Sequence, residues 1–186
     1  KEADVDGFRC DVAGMVPTDF WEHTVAELKK VKPVFMLAEA WEPELMKNAF
    51  DMGYSWDTHH RMNHIAKGEE NVKNWDARMT QIDTMYAKDN ILMNFVTNHD
   101  ENSWNGTVKE RMGDASELML ALSYCAPGMP LIYSGQEYDM NKRLLFFEKD
   151  TIIKTKGKVW PILEQLGKLK NSYKALNGGK NPASYT

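Results

Sequence analysis

Short apolar runs and stretches of helical period take turns along this chain. Val5 to Asp11 predicts a strand. Thr18 is placed to cap a helix running to about Lys30, with Trp21, Val25 and Leu28 at i, i+4 and i+7. Pro33 ends that helix, Val34 to Ala38 reads as a buried strand, and Pro43 opens a short helix through Phe50. Met52 to Trp56 is a weaker strand candidate. A helix from about Val72 to Tyr86 carries Val72, Trp75, Met79, Ile82 and Tyr86 on one face. Ile91 to Thr97 is the clearest strand, and a helix over about Asp114 to Tyr124 follows it. Pro127-Gly128 then turns into a strand from Pro130 to Ser134. The last helix, about Val159 to Leu176, aligns Trp160, Leu163, Leu166, Leu169 and Tyr173, and Asn177-Gly178-Gly179 stops it.

Five short strands separated by helices predict an α/β fold with a parallel sheet and crossover helices. No linker, repeat or low-complexity tract divides the 186 residues, so the chain reads as one domain. The segment from Glu137 to Val159 is the least regular and predicts a long loop after the last strand, where such folds keep substrate contacts.

Composition removes some partners. The net charge is −4 and no basic stripe is interleaved with aromatics, which argues against nucleic acid. No apolar stretch approaches the roughly 20 residues that span a bilayer. Cys10 and Cys125 each sit in an apolar context and read as buried free thiols rather than a disulfide or a metal pair. The twelve Met residues read as core filler.

The chemistry lies at three strand ends. Asp11 closes Asp6-Gly7-Phe8-Arg9-Cys10-Asp11, Glu39 follows Phe35-Met36-Leu37-Ala38, and Asp100 follows Phe95-Val96-Thr97-Asn98-His99. Strand alternation puts Gly7, Arg9 and Asp11 on one face and Phe8 and Cys10 on the other. A guanidinium beside a carboxylate keeps it ionised, as a glycosidase nucleophile must be. Glu39 ends a run with almost no polarity, where desolvation raises a carboxyl pKa, as a general acid requires. His99 and Asp100 are adjacent, so both face one site only if the strand has ended or bulged near Asn98. Singly, each motif also has a structural reading, as a turn, a salt bridge or a helix cap. Jointly, acids at successive strand ends are how a β/α barrel assembles an active site, and a pair of them is the minimum for cleaving a glycosidic bond. Their separation sets the stereochemistry, about 5 Å for retention and more for inversion.

These motifs resemble the second half of the catalytic barrel of the alpha-amylase family of glycoside hydrolases. Gly7 to Asp11 matches the family's Gly-Phe-Arg-x-Asp motif on its fourth strand, Glu39 its acid on the fifth, and Asn98 to Asp100 its Asn-His-Asp after the seventh. Pro130 to Glu137 is similar to its eighth strand. The resemblance covers nearly the whole chain and implies a partial TIM-type (β/α) barrel, strands four to eight with their helices, over residues 1–186. It implies a retaining hydrolase of alpha-glucosidic bonds in starch or maltodextrin-type glucans. Asp11 would be the nucleophile and Glu39 the acid/base. Asp100 would stabilise and distort the bound sugar, Arg9 would orient Asp11, and His99 would bind that same sugar. Many amylases carry Lys-His three and four residues past the nucleophile, where this chain has Gly14 and Met15. A calcium ion of the parent protein is thus not supported by this segment, and no other cofactor or metal is implied.

Further residues border this expected site. Trp41, two residues past Glu39, is a sugar-stacking platform or loop packing. Gln136 and Glu137 stand where sugar contact or support of the site is expected, and Asn102 and Trp104 follow Asp100 closely. His59-His60 with His64 has i, i+4 spacing on a candidate helix; a zinc set would want a third ligand of clear spacing, and the histidines read as capping or lining the sixth-strand loop. A closed barrel needs eight strands, so a five-stranded segment has open edges and an uncovered inner face. A symmetric homodimer would be the simplest closure. Weak or absent activity in isolation is expected on this reading. The alternatives are a transglycosylase sharing the covalent intermediate, and a non-catalytic sugar-binding or self-associating half barrel.

Overall fold

The structure is a computed structural model and describes residues 3–176. The strands are β1 (Gly7–Cys10), β2 (Phe35–Ala38), β3 (Met52–Tyr54), β4 (Ile91–Asn94) and β5 (Met129–Pro130). They form one sheet in sequence order, every neighbouring pair parallel. Parallel neighbours in sequence order require a crossover for each step. The helices supply it: α1 (Thr18–Val31), α2 (Leu45–Asn48), α3 (Trp56–Ala66), α4 (Val72–Met85), α5 (Val108–Met112), α6 (Ser116–Cys125) and α7 (Val159–Ser172).

Several elements differ from the sequence reading. Thr18 does not cap α1 but is its first residue; Pro17 holds the cap position at φ −53° and ψ 137°, an extended geometry that proline's ring favours. Predicted strands shorten at both ends of the sheet. The run from Ile91 to Thr97 stays in the ladder only to Asn94, and the last strand sits at Met129–Pro130 rather than Pro130 to Ser134. Pro130 has no N–H to donate, and the last ladder bond runs from Leu131 N–H to the Asn94 carbonyl at 2.8 Å. α5 was not predicted as an element, and α3 only as a candidate helix around His59, His60 and His64, without bounds. The predicted stop at Asn177-Gly178-Gly179 lies outside the described residues. Both cysteines are free, but Cys10 is half-buried and Cys125 exposed, so the expectation of two buried thiols is corrected.

The two sheet faces have different jobs. The outer face presents Met36, Ala38 and Leu92 to α1 and α2, where they meet Val25, Leu45, Met46 and Phe50. A second apolar cluster joins α3 through α7 around Met62, Trp75, Met79, Val96, Met119, Leu120 and Leu163. On the inner face, Met52, Tyr54, Met93 and Phe95 form a smaller cluster with Leu37 and Trp56. Most methionines fill these clusters; Met15 instead is 84% exposed. Two close approaches demand glycine. A Cβ at Gly7 would lie 2.3 Å from the Phe35 carbonyl oxygen, and one at Gly128 (φ +112°) would lie 2.2 Å from the Leu92 oxygen. Among the described residues no helix is long and apolar enough to cross a membrane.

Candidate active site

Register brings the acids together. Arg9 pairs with Leu37 and Cys10 with Ala38, and the ladder runs one step further through Glu39 N–H to the Cys10 carbonyl at 2.9 Å. Asp11 and Glu39 therefore emerge side by side from adjacent strands. Arg9 sits between them on the inner face: Nη1 lies 2.5 Å from Asp11 Oδ1, and Nη2 lies 2.5 Å from Glu39 Oε1. Its Nε donates to the Tyr54 hydroxyl at 3.3 Å, and the guanidinium carbon lies 5.7 Å from the Tyr54 ring. One cation thus fixes both carboxyls, and Tyr54 fixes the cation.

The electrostatics follow. Burial works against charge on Arg9, but hydrogen bonds to Tyr54 and Asp11 and the charge of Glu39 outweigh it and raise its pKa further. The Arg9 hydrogen bond, and after it the one with Glu39, holds the Asp11 carboxyl below the usual carboxylate range. Burial pushes the Tyr54 hydroxyl up, so it stays a neutral phenol.

The backbone turns sharply after Asp11. Val12 is left-handed at φ 41° and ψ 42°, a costly conformation for a β-branched residue. In that turn its N–H donates to Glu39 Oε2 at 2.8 Å, so the bend that closes β1 also holds the second acid.

The third acid arrives from β4. The ladder stops at Asn94, residues 95–98 continue buried, and Asp100 (φ −75°, ψ −54°) enters a π-helical turn over Glu101–Asn105. Strand alternation has therefore ended before Asn98, and His99 and Asp100 can face one site. One ligand-capable atom each of Glu39, His99 and Asp100 lie within 4.8 Å of one another. His99 Nε2 is 3.5 Å from Asp100 Oδ2. That spacing suits a cation as well as a sugar, but Arg9 already supplies Glu39 with a positive charge.

Below this turn lies a polar network that the sequence did not announce. His59 is fully buried on α3, stacked on Phe95 with centroids 4.6 Å apart. Its Nδ1 is 2.9 Å from the Phe95 carbonyl and its Nε2 2.9 Å from Glu101 Oε2. Arg111 donates from Nη2 to the Val96 carbonyl at 2.7 Å and from Nη1 to Asn63 Oδ1 at 2.8 Å. Burial alone would raise the Glu101 carboxyl, but the hydrogen bond and charge of His59, with Asn105 and Arg111, lower it to about 2.

The remaining predicted residues lie around this cluster. Trp41 is 44% exposed at the rim, its carbonyl accepting the Tyr86 hydroxyl. Gln136 turns toward its own loop, accepting the Tyr133 N–H at 3.2 Å, and lines a cavity of about 200 Å³ with Thr97 and Asn102. Glu137 accepts the Gly135 N–H at 2.7 Å. His64 pairs with Glu69 at 2.5 Å, so the α3 histidines face separate partners. Tyr54, Glu101 and Arg111 were missed, and His59 was placed near a loop rather than in the core. Their signal would have been polar residues on faces otherwise apolar.

A parallel β/α sheet with acids gathered at the C-terminal ends of its strands is a segment of a TIM-type barrel. No family profile matches the chain. It is 32% identical over 148 residues to the maltogenic alpha-amylase of Bacillus acidopullulyticus, covering 74% of this chain and 24% of that protein. It is 27% identical over 142 residues to the alpha-amylase MalA of Haloarcula japonica, covering 75% and 21%. The crystal structure of the maltogenic alpha-amylase AmyB from Thermotoga neapolitana superposes with a TM-score of 0.83 at 29% identity, over 94% of this chain and 41% of that one. The chain therefore spans about a quarter of the length of these curated relatives. These curated relatives and solved structures are enzymes of the alpha-amylase family, and the chain matches the C-terminal part of their catalytic barrel.

Proposed function

We propose that this chain carries the catalytic carboxyls of a retaining glycosidase acting on alpha-glucosidic bonds, in a barrel of which it forms the C-terminal part. The observation that carries this reading is the single Arg9 guanidinium shared by Asp11 and Glu39 at adjacent strand ends. Asp11, held ionised by that contact, attacks the anomeric carbon and forms a glycosyl ester. Glu39 protonates the departing oxygen, then takes a proton from the water that cleaves the ester. Asp100 faces the positive charge that develops on the sugar, and His99 hydrogen-bonds its hydroxyls. Trp41 stacks on a neighbouring ring at the rim. Alpha-glucans are the substrate class that the relatives' names support.

The test is hydrolysis of an activated alpha-glucoside and a short maltodextrin, with Asp11→Asn as the blank and the product anomer read by NMR. Release above the blank with retained configuration supports the reading. Turnover that survives Glu39→Gln, or an inverted product, would sink it.

A further inference from the structure

The long loop after β5 is irregular over 139–158 yet firmly held. Buried Asn102 clamps it twice: Nδ2 donates to the Lys142 carbonyl at 3.0 Å, and Oδ1 accepts the Leu144 N–H at 2.8 Å. Ser103 Oγ donates to the Leu144 carbonyl at 2.8 Å. Arg143 grips Glu110 with two N–H groups at 3.0 and 3.1 Å, and Lys142 pairs with Asp150 across the loop.

What this strapping holds up is aromatic and open to solvent. Trp104 is 56% exposed, Phe146 40% and Phe147 84%. Their rings touch one another: Trp104 to Phe146 at 5.0 Å, and Phe146 to Phe147 at 4.8 Å. Phe146 lies nearly parallel to His99, 6.1 Å away at 24°. The patch is therefore continuous with the carboxylate cluster through His99. A cleft of about 300 Å³ opens beside Phe146 and His99, lined also by Tyr133 and Glu148. Among the described residues, Glu148 and the Tyr133 hydroxyl have no hydrogen-bond partner, which leaves an acceptor and a donor at the cleft.

We propose that Trp104, Phe146 and Phe147 form a preorganised shelf that stacks a further glucose unit of an alpha-glucan, beyond the sugar held at Asp11, Glu39 and Asp100. This rests on the glycosidase reading above and adds where the chain of the substrate runs. A pyranose presents an apolar C–H face to a ring and hydroxyls at its edge, matching aromatic surface rimmed by Glu148 and Tyr133. Size favours a sugar over a protein partner. Three partly exposed aromatic side chains offer at most a few hundred Å², below the roughly 1,000 Å² of a specific protein contact. The straps matter because rings already fixed lose little freedom when a ligand arrives.

The experiment titrates maltose, maltotriose, maltotetraose and maltohexaose into the 186-residue chain carrying Asp11→Asn, by calorimetry with Trp emission recorded in parallel. Affinity should rise about tenfold once the oligosaccharide reaches the shelf, the size of one aromatic contact. Trp104→Ala and Phe146→Ala, both at exposed positions, should remove that rise and leave the shortest binding sugar unchanged. Trp104→Phe should restore most of it. Binding without length dependence, or length dependence indifferent to both alanines, overturns the shelf while leaving the glycosidase reading intact. Self-association lost in Phe147→Ala, without any effect on sugar affinity, would give the patch to a second copy and overturns the proposal too. No binding by any oligosaccharide overturns the shelf, while the glycosidase reading stands or falls by the hydrolysis test above.

Discussion

Asp11 stands at the end of β1 with its side chain 72% exposed, whereas Glu101, one residue past Asp100, is 7% exposed and clasped by His59. The two sides of one cleft are thus built differently. On the β1 side, half-buried Arg9 joins exposed Asp11 to a Glu39 side chain only 12% exposed, above a strand whose Phe8 is 40% exposed. On the β4 side, the turn bearing His99 and Asp100 rests on buried Phe95, His59, Glu101 and Arg111. Exposed ion pairs contribute little to stability, while an uncompensated buried charge costs a great deal. The first side, open to solvent at Asp11, therefore has less at stake in folding. The second is bound into the core, and its geometry and its stability stand or fall together.

The largest effect should come from breaking the buried side. Glu101→Gln leaves His59 and Arg111 without their acid and should cost about 3–5 kcal/mol in urea unfolding. The same pair has a pH signature. The Glu101 carboxyl sits at about 2, against an ordinary 4.5. A depressed carboxyl contributes fully above its ordinary value and less as pH falls from about 4.5 toward 2. The wild-type urea midpoint should drop through that window, and the part due to Glu101 should vanish in Glu101→Gln.

Arg9→Ala should do the reverse. Activity against an alpha-glucoside should fall about a hundredfold, about 2.7 kcal/mol of barrier, while the urea midpoint falls by less than in Glu101→Gln. In the same variant Asp11 should titrate closer to an ordinary carboxylate by NMR, since Arg9 is the main cause of its depression. A large loss of stability in Arg9→Ala would erase the contrast between the two sides. Asn102→Ala should be milder, about 1–2 kcal/mol for two lost hydrogen bonds, with faster amide exchange at Leu144. Smallest of all, Val12→Gly should gain about 1 kcal/mol by relieving the left-handed turn, read from the thermal midpoint.

Legibility in the sequence follows the same division. β1, β2, β4 and the three acids could be read, because an apolar run ending in a charge is a local pattern. Arg9 and Asp11 on one face followed from alternation, and both do reach the same ion-pair group. The extent and buried face of α3 were hidden because its core-facing positions include His59 and Thr58, polar residues buried only by tertiary partners. Glu101 and Arg111 carry no local signal, and only the fold brings them to α3. Thr18 looked like a cap, and Pro17 beside it took the position. The end of the β4 ladder at Asn94 was also hidden, since the following Phe95 to Asn98 are as buried as any strand. Burial marks the core, not the extent of pairing.

Pro130 makes the two margins of the sheet unequal. A ladder lengthens where a strand can both donate and accept, and β5 is two residues long with a proline at its second position, so its outer margin lacks a donor there. β1 offers a four-residue strand with ordinary peptide groups. A strand laid along β1 meets a full row of partners, whereas one that closes the barrel at β5 must take its bonds around the proline and lean on side-chain packing for the rest.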